Sequence, residues 1–153
     1  MKTVPAEELH DHIGEELGVS DWVEIDQDRI DAFADVTLDH QFIHVDPQAA
    51  QATPLGSTVA HGFLTLSLLS YLREDMFFVP ENTVMTLNYG LDRLRFIEPV
   101  PVGSRVRARS RLIAVTEKES GRWLIKEETT VEIEGNDRPA LIAEPLTMFM
   151  TSS

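Results

Sequence analysis

Cysteine is absent from the 153 residues, which removes disulfides, thiolate nucleophiles and cysteine-type zinc sites. Positive charge is scarce: 13 Lys and Arg stand against 26 Asp and Glu, a formal net charge of −13. Such a surface repels nucleic acid and anionic membrane, yet it leaves room for a polyanionic small molecule that needs only a local basic patch. Long apolar runs are also missing. The most apolar stretch, residues 62–72, falls well short of the ~20 residues that span a bilayer. The first residues, Met1-Lys2-Thr3-Val4-Pro5 with Glu7 and Glu8 behind them, carry no apolar segment of signal-peptide type. Neither repeats nor linker-like tracts divide the chain. The expectation is a single cytoplasmic domain over residues 1–153, long enough to bury its own core.

What is present reads differently in the two halves. Pro5 with Glu7 and Glu8 predicts a short acidic helix over 5–13. Trp22, Val23 and Ile25 suggest a short strand, and Asp26 then caps a helix with Ile30, Phe33 and Ala34 at three-four spacing. Asp46 caps another helix that starts at Pro47. In "HGFLTLSLLSYLREDMFF", residues 61–78, apolar side chains cover nearly every face, the pattern of a buried helix. Residues 84–89, 91–96, 105–115, 122–134 and 141–150 read as strands separated by Pro, Gly and Asn turns. The predicted architecture is α+β, a strongly bent antiparallel sheet around one central helix.

In "RVRARSRL" the residues Arg105, Arg107, Arg109 and Arg111 alternate and so share one face of a strand. A phosphate-binding surface is one reading. The favoured one is a charge ladder with Glu128, Glu132 and Glu134 of the later strand, at roughly 0.2–1 kcal/mol per pair.

Two short stretches carry candidate chemistry. Asp39 and His44 lie five residues apart between two predicted helices, where a loop can turn both toward one point. A carboxylate beside an imidazole, partly dried by apolar neighbours, can position and deprotonate a water. The second stretch, "TVAHGFLTL", sets His61 and Gly62 where the buried helix begins. The first N–H groups of a helix lack internal partners, and glycine allows close approach to them, as an oxyanion hole requires. Together these suit addition of water to a carbonyl-conjugated double bond, or its reverse. His61 itself reads as structural and His40 as a bystander. A metal at His40, His44, Asp46 and His61 is not expected, since no metal-type spacing recurs.

"FADVTLDHQFIHVDPQAA", then "GSTVAHGFLTLSLLS", then "NYGLDRLRFIEPVPVGSRV" resemble the MaoC-like dehydratases, or R-specific enoyl-CoA hydratases, most of all their nodulation-protein-N-like branch. The resemblance spans roughly residues 22–150. It implies the hot-dog fold, a sheet wrapped around a long central helix, and a homodimer with the active site where two units meet. It places the catalytic aspartate on Asp39, the catalytic histidine on His44 and the thioester-binding glycine on Gly62. A supporting serine falls on Ser70. The family's loop commonly reads Asp-x-Asn-Pro-aliphatic-His, whereas this chain has Gln41 and Phe42 in place of Asn-Pro. Gln41 keeps the amide that would orient Asp39 on a longer stem, and Phe42 loses the rigidity of proline; substrate preference is what these departures leave open.

The resemblance implies a lyase that reversibly adds water, in syn fashion, to trans-2-enoyl-CoA. Coenzyme A arrives as part of the substrate and no separate cofactor is expected. Arg93 and Arg95 are candidates for its phosphates, with a paired structural role as the alternative. Rival readings are a hot-dog acyl-CoA thioesterase and a non-catalytic acyl-CoA-binding protein. The expected partners are thus a small acyl-CoA thioester and a second copy of the chain, without nucleic acid or membrane.

Overall fold

The computed structural model describes residues 2–152. The chain runs β1 (Lys2–Val4), a 3₁₀ helix (Ala6–His12), β2 (Glu16–Val19), β3 (Val23–Ile25), α1 (Gln27–Thr37), α2 (Phe42–Val45), α3 (Pro47–Gln51), α4 (Gly62–Ser67), α5 (Leu69–Leu72), β4 (Phe78–Pro80), β5 (Thr83–Phe96), β6 (Ser104–Glu119), β7 (Arg122–Ile133) and β8 (Leu141–Thr151). The main sheet is antiparallel with strand order β2-β6-β7-β8-β5, and β3 also pairs with β6. β1 and β4 form a separate parallel pair.

β7 shows why the sheet has an inside. Trp123, Ile125, Glu127, Thr129, Val131 and Ile133 are buried while the residues between them are half-exposed, the period-two alternation of a strand with one covered face. Leu64, Leu69 and Leu72 of α4 and α5 pack on that face with Val106, Ala108, Val131 and Ala143. This is the hot-dog arrangement that the sequence predicts.

The central helix departs from its predicted outline. It ends at Leu72 rather than near residue 78, with Arg73 as its C-cap and a turn leading to β4. Leu68 separates α4 from α5, although its N–H reaches Leu64 O (3.1 Å) and its carbonyl accepts from Leu72 N–H (2.9 Å). Nor is the helix covered all round: Phe63 and Tyr71 are 66% and 65% exposed, and Ser67 and Ser70 lie open between them. The sheet of one chain covers only one side of the helix. The other side, two aromatics with serines between them, lies next to β5, an edge strand that exposes Val84, Met85, Leu87, Tyr89 and Leu91. The two strands predicted at 84–89 and 91–96 are one, with register shifts between Asn88 and Gly90 and between Leu91 and Leu94. β1, β2 and β4 are too short to show a period in the sequence. No helix among the described residues is long and apolar enough to cross a membrane.

The arginine stripe is a ladder. Arg107 Nε donates to Glu132 (2.6 Å), Arg109 bridges Glu132 (3.1 Å) and Glu16 (3.0 Å), Arg111 pairs with Glu128 (2.8 Å) and Arg105 grips Glu134 with two donors. Burial pulls the Glu132 carboxyl up, but the two guanidinium groups outweigh it and hold the group below its ordinary range. A depressed native pKa means a contribution that is present above the unfolded value of about 4.3 and lost as pH falls through the lower native value. Glu132→Gln is therefore expected to flatten the fall in stability below about pH 4.3. Urea midpoints for both proteins between pH 2 and 6 measure this; superimposable slopes would contradict it.

Candidate active site

The site is built where α1 stops. Asp26 caps the start of α1 by accepting from Arg29 N–H (2.9 Å). At its other end Leu38 takes the left-handed conformation (φ 63°), unusual for a side chain of this size. The chain turns sharply there and presents Asp39 on the exposed side. The predicted loop then winds into the single turn α2, closed by Asp46 N–H on Phe42 O (2.9 Å). Asp46 also caps α3 through Ala49 N–H (3.0 Å), the role expected of it.

His44 sits on α2 and is 7% exposed. Its Nδ1 lies 2.6 Å from Val59 O. A carbonyl can only accept, so Nδ1 carries a proton, and in the neutral ring Nε2 carries the lone pair. The His44 carbonyl accepts from Gln27 Nε2 (2.7 Å), and Gln27 Oε1 accepts from the buried Thr58 hydroxyl (2.6 Å). Val59 N–H meets Ile43 O (3.0 Å). The segment 58–61 therefore stitches α2 to the start of α4, and brings His61 flat onto His44 with ring centroids 3.8 Å apart at 23°.

A carboxylate oxygen of Asp39 and a ring nitrogen from each of His44 and His61 lie within 4.8 Å of one another. Such a trio invites a metal reading. A metal bound to imidazole lies in the ring plane about 2 Å from the nitrogen, and two rings stacked at 3.8 Å and inclined by only 23° have planes that meet well beyond that reach. The arrangement fits a carboxylate–imidazole pair better than a chelate.

Beside His44 opens a cavity of about 440 Å³ walled by Ile43, Val59, Gly62, Phe63 and Phe96. Gly62 is the first residue of α4, so its N–H lacks an intrahelical partner. The Phe96 ring lies over it: a Cβ at Gly62 would be 3.0 Å from Phe96 Cε1. A side chain here would make the ring give way by a few tenths of an ångström.

The other predicted residues are distributed as follows. Gln41 contacts Asp39 Oδ1 with its main-chain N–H (3.4 Å), not with its side-chain amide. Ser70 lies eight residues along the helix from Gly62 and accepts from Asn88 Nδ2 (3.3 Å). Arg93 faces Glu144 at 3.5 Å, and Arg95 donates to Leu94 O (3.1 Å). His40 pairs with Asp35 (2.9 Å), whose hydrogen bond raises the His40 pKa. Gln27 escaped the sequence reading because a glutamine in a first helical turn has no chemical signature. Its only signal was the position next to the Asp26 cap.

Residues 8–136 match the MaoC like domain. This chain belongs to that family. Among its relatives it is 49% identical over 137 residues to 3-hydroxyacyl-thioester dehydratase Z of Mycobacterium tuberculosis (strain ATCC 25618 / H37Rv), covering 90% of each chain. It is also 49% identical over 151 residues to nodulation protein N of Rhizobium leguminosarum bv. viciae, covering 97% of this chain and 93% of that one. This MaoC-like chain thus has the branch that its sequence motifs suggest. Among solved structures, a monoamine oxidase regulatory protein from Archaeoglobus fulgius superposes with a TM-score of 0.82 at 18% identity, covering 100% and 98% of the two chains. An (R)-hydratase from A. caviae gives 0.72 at 24% identity, covering 88% and 94%. Both show the shared fold.

Proposed function

We propose that this MaoC-like protein hydrates trans-2-enoyl thioesters of coenzyme A to (R)-3-hydroxyacyl thioesters, and catalyses the reverse dehydration. The observation that carries the reading is the convergence of the Asp39 carboxylate and a ring nitrogen of the buried His44 beside a cavity that contains Gly62. The relatives named as 3-hydroxyacyl-thioester dehydratase support the thioester class. In the forward direction a water held by His44 Nε2 and Asp39 loses a proton to the carboxylate as its oxygen bonds to the β carbon. The π electrons move toward the thioester carbonyl, and the Gly62 N–H stabilises the oxygen that becomes negative. The proton taken from water returns to the α carbon from the same face, which makes the addition syn.

Loss of the conjugated absorbance of crotonyl-CoA with purified protein tests the reading. Release of free thiol instead would mark a thioesterase, and binding without turnover would mark an acyl-CoA carrier. Gly62→Ala is expected to lower kcat/KM by about tenfold or more, the equivalent of ~1.4 kcal/mol. The added methyl presses on Phe96 and fills the approach to the N–H. An unchanged kcat/KM would remove Gly62 from the mechanism.

In this reading Ser70 supports Asp39 from a second copy. Eight residues of helix separate it from Gly62 by about 12 Å, and its hydroxyl is engaged with Asn88. A partner whose central helix runs antiparallel brings its own Ser70 toward Asp39. The stripe of Phe63, Ser67 and Tyr71 beside the apolar edge β5 is the surface such a dimer would cover. Tyr71→Asp is accordingly expected to yield a monomer with little activity, read by analytical ultracentrifugation alongside the crotonyl-CoA assay. A fully active monomer would overturn both the dimer and the role of Ser70. Of the two arginines, Arg93 already faces Glu144, whereas among the described residues the Arg95 guanidinium meets only a main-chain carbonyl, which leaves it the freer of the two to meet a phosphate.

A further inference from the structure

His61 does more than begin α4. A capping side chain would accept from the first free N–H groups, yet His61 makes no such bond. Instead its ring touches both members of the dyad. Nε2 donates to Asp39 O (2.9 Å), one face stacks on His44 at 3.8 Å, and Phe33 packs against the ring at 5.0 Å and 55°. The ring is 3% exposed and its Nδ1 has no hydrogen-bond partner among the described residues. Burying an unpaired nitrogen carries a desolvation cost that a phenylalanine of similar shape would avoid, so the value of the imidazole here lies in its Nε2–H.

The need for that N–H follows from the turn it holds. Asp39 comes directly after the left-handed Leu38, and among the described residues its carboxylate receives only the long contact from Gln41 N–H. The Asp39 carbonyl bonded to a buried ring is the firm anchor of this turn. His44 has a complementary weakness. Val59 holds one edge of its ring, and a single hydrogen bond leaves rotation about that edge open until another plane lies against it.

We infer that His61 is a positioning residue that sets the placement of Asp39 relative to His44, through the Asp39 carbonyl and the face of His44. This rests on the hydration reading for its kinetic consequence but not for its geometry. His61→Phe keeps a buried ring and removes the Nε2–H. His61→Gln gives up the ring but restores an amide N–H at similar reach. His61→Phe is expected to lower kcat for crotonyl-CoA by about 10–100-fold, as a misplaced catalytic group does, with KM within about twofold and an undiminished Tm. His61→Gln is expected to recover most of that loss. A role in packing alone predicts the reverse order, with the glutamine variant the more damaged in both Tm and kcat.

Two readouts are independent of turnover. Amide hydrogen exchange at residues 39–41 should quicken in His61→Phe and stay near wild type in His61→Gln. Long-range ¹H–¹⁵N spectra of the wild type should show His61 protonated on Nε2 and His44 on Nδ1. Unchanged exchange in His61→Phe, or a His61 protonated on Nδ1, overturns the inference. If the wild type itself fails to hydrate crotonyl-CoA, the functional reading falls, while the exchange and tautomer results still decide the role of His61. Should His61→Phe fail to fold, the wild-type spectra and His61→Gln decide it.

Discussion

Asp39→Asn is expected to lower kcat for crotonyl-CoA hydration by about 10²–10⁴-fold, the range for loss of a general acid–base group, with a much smaller change in KM. Asp39 is exposed, so the amide should leave the fold and Tm intact; the lost activity then reports chemistry alone. Asparagine keeps the size and an accepting oxygen but cannot take the proton from water. His44→Ala is expected to fall in the same range. That residue is buried and bonded to Val59, so its loss also loosens the segment that presents Gly62, and its Tm must be measured beside kcat. On the proposed mechanism the two groups act on one water, so the double variant should cost little more than either single change, as is usual for residues working as a unit. Full activity in Asp39→Asn, or multiplicative losses in the double variant, would show that the pair does not act together.

The largest effect on stability is expected away from the dyad. Arg73 and Glu127 are 2% and 1% exposed and meet at 2.8 Å between the C-cap of α5 and the inner face of β7. Arg73 Nε also donates to Leu69 O (3.2 Å), and its guanidinium lies over the Phe77 ring at 5.3 Å. Burial pushes the Glu127 carboxyl up, against the pull of Arg73 and of Ser110, whose hydroxyl also meets Thr129 (2.7 Å). Arg73→Met leaves that carboxyl buried without its cation and is expected to cost about 3–5 kcal/mol, a Tm loss of roughly 6–20 °C for a chain of this size. Removing both charges in Arg73→Met/Glu127→Leu should recover most of it, since a buried pair contributes little net stability over an apolar replacement.

The same variant carries a pH signature. Without Arg73 the native Glu127 pKa moves further above its unfolded value. A raised native pKa gives a contribution that is full below the unfolded value, about 4.3, and lost as pH rises through the native one. The Tm deficit of Arg73→Met should therefore shrink on going from pH 8 to pH 5. A deficit that is constant with pH, or a double variant no better than the single, would contradict this account of the pair.

Particular residues show how far one-dimensional information reached. The alternation of Arg105 to Arg111 against Glu128, Glu132 and Glu134 was legible because a strand's period is two and opposite charges on facing strands have one economical register. Asp26 and Asp46 were legible as caps because a cap acts within three residues of itself. The Asp39–His44 spacing and the His61-Gly62 step pointed to the candidate site, for both motifs are short and local. The lone-pair geometry of His44 was not legible, because it depends on Val59 O, 15 residues away. Nor were the stacked His61, the Gln27–Thr58 brace, or the Phe96 ring above Gly62. Each joins segments whose separation carries no periodic signal.

The sequence by itself thus determined the composition of the inner sheet face, the caps, the charge ladder, and which acid and which imidazole stand near each other. Local patterns suffice there because the interactions involved act within a few residues or across one strand pair. Only the tertiary structure decided which nitrogen of His44 bears the lone pair, that the central helix stops at Leu72, and that its Phe63–Tyr71 side lies open beside β5. Those outcomes depend on which distant surfaces meet. An apolar pattern records that a face avoids water; what covers it is settled by packing.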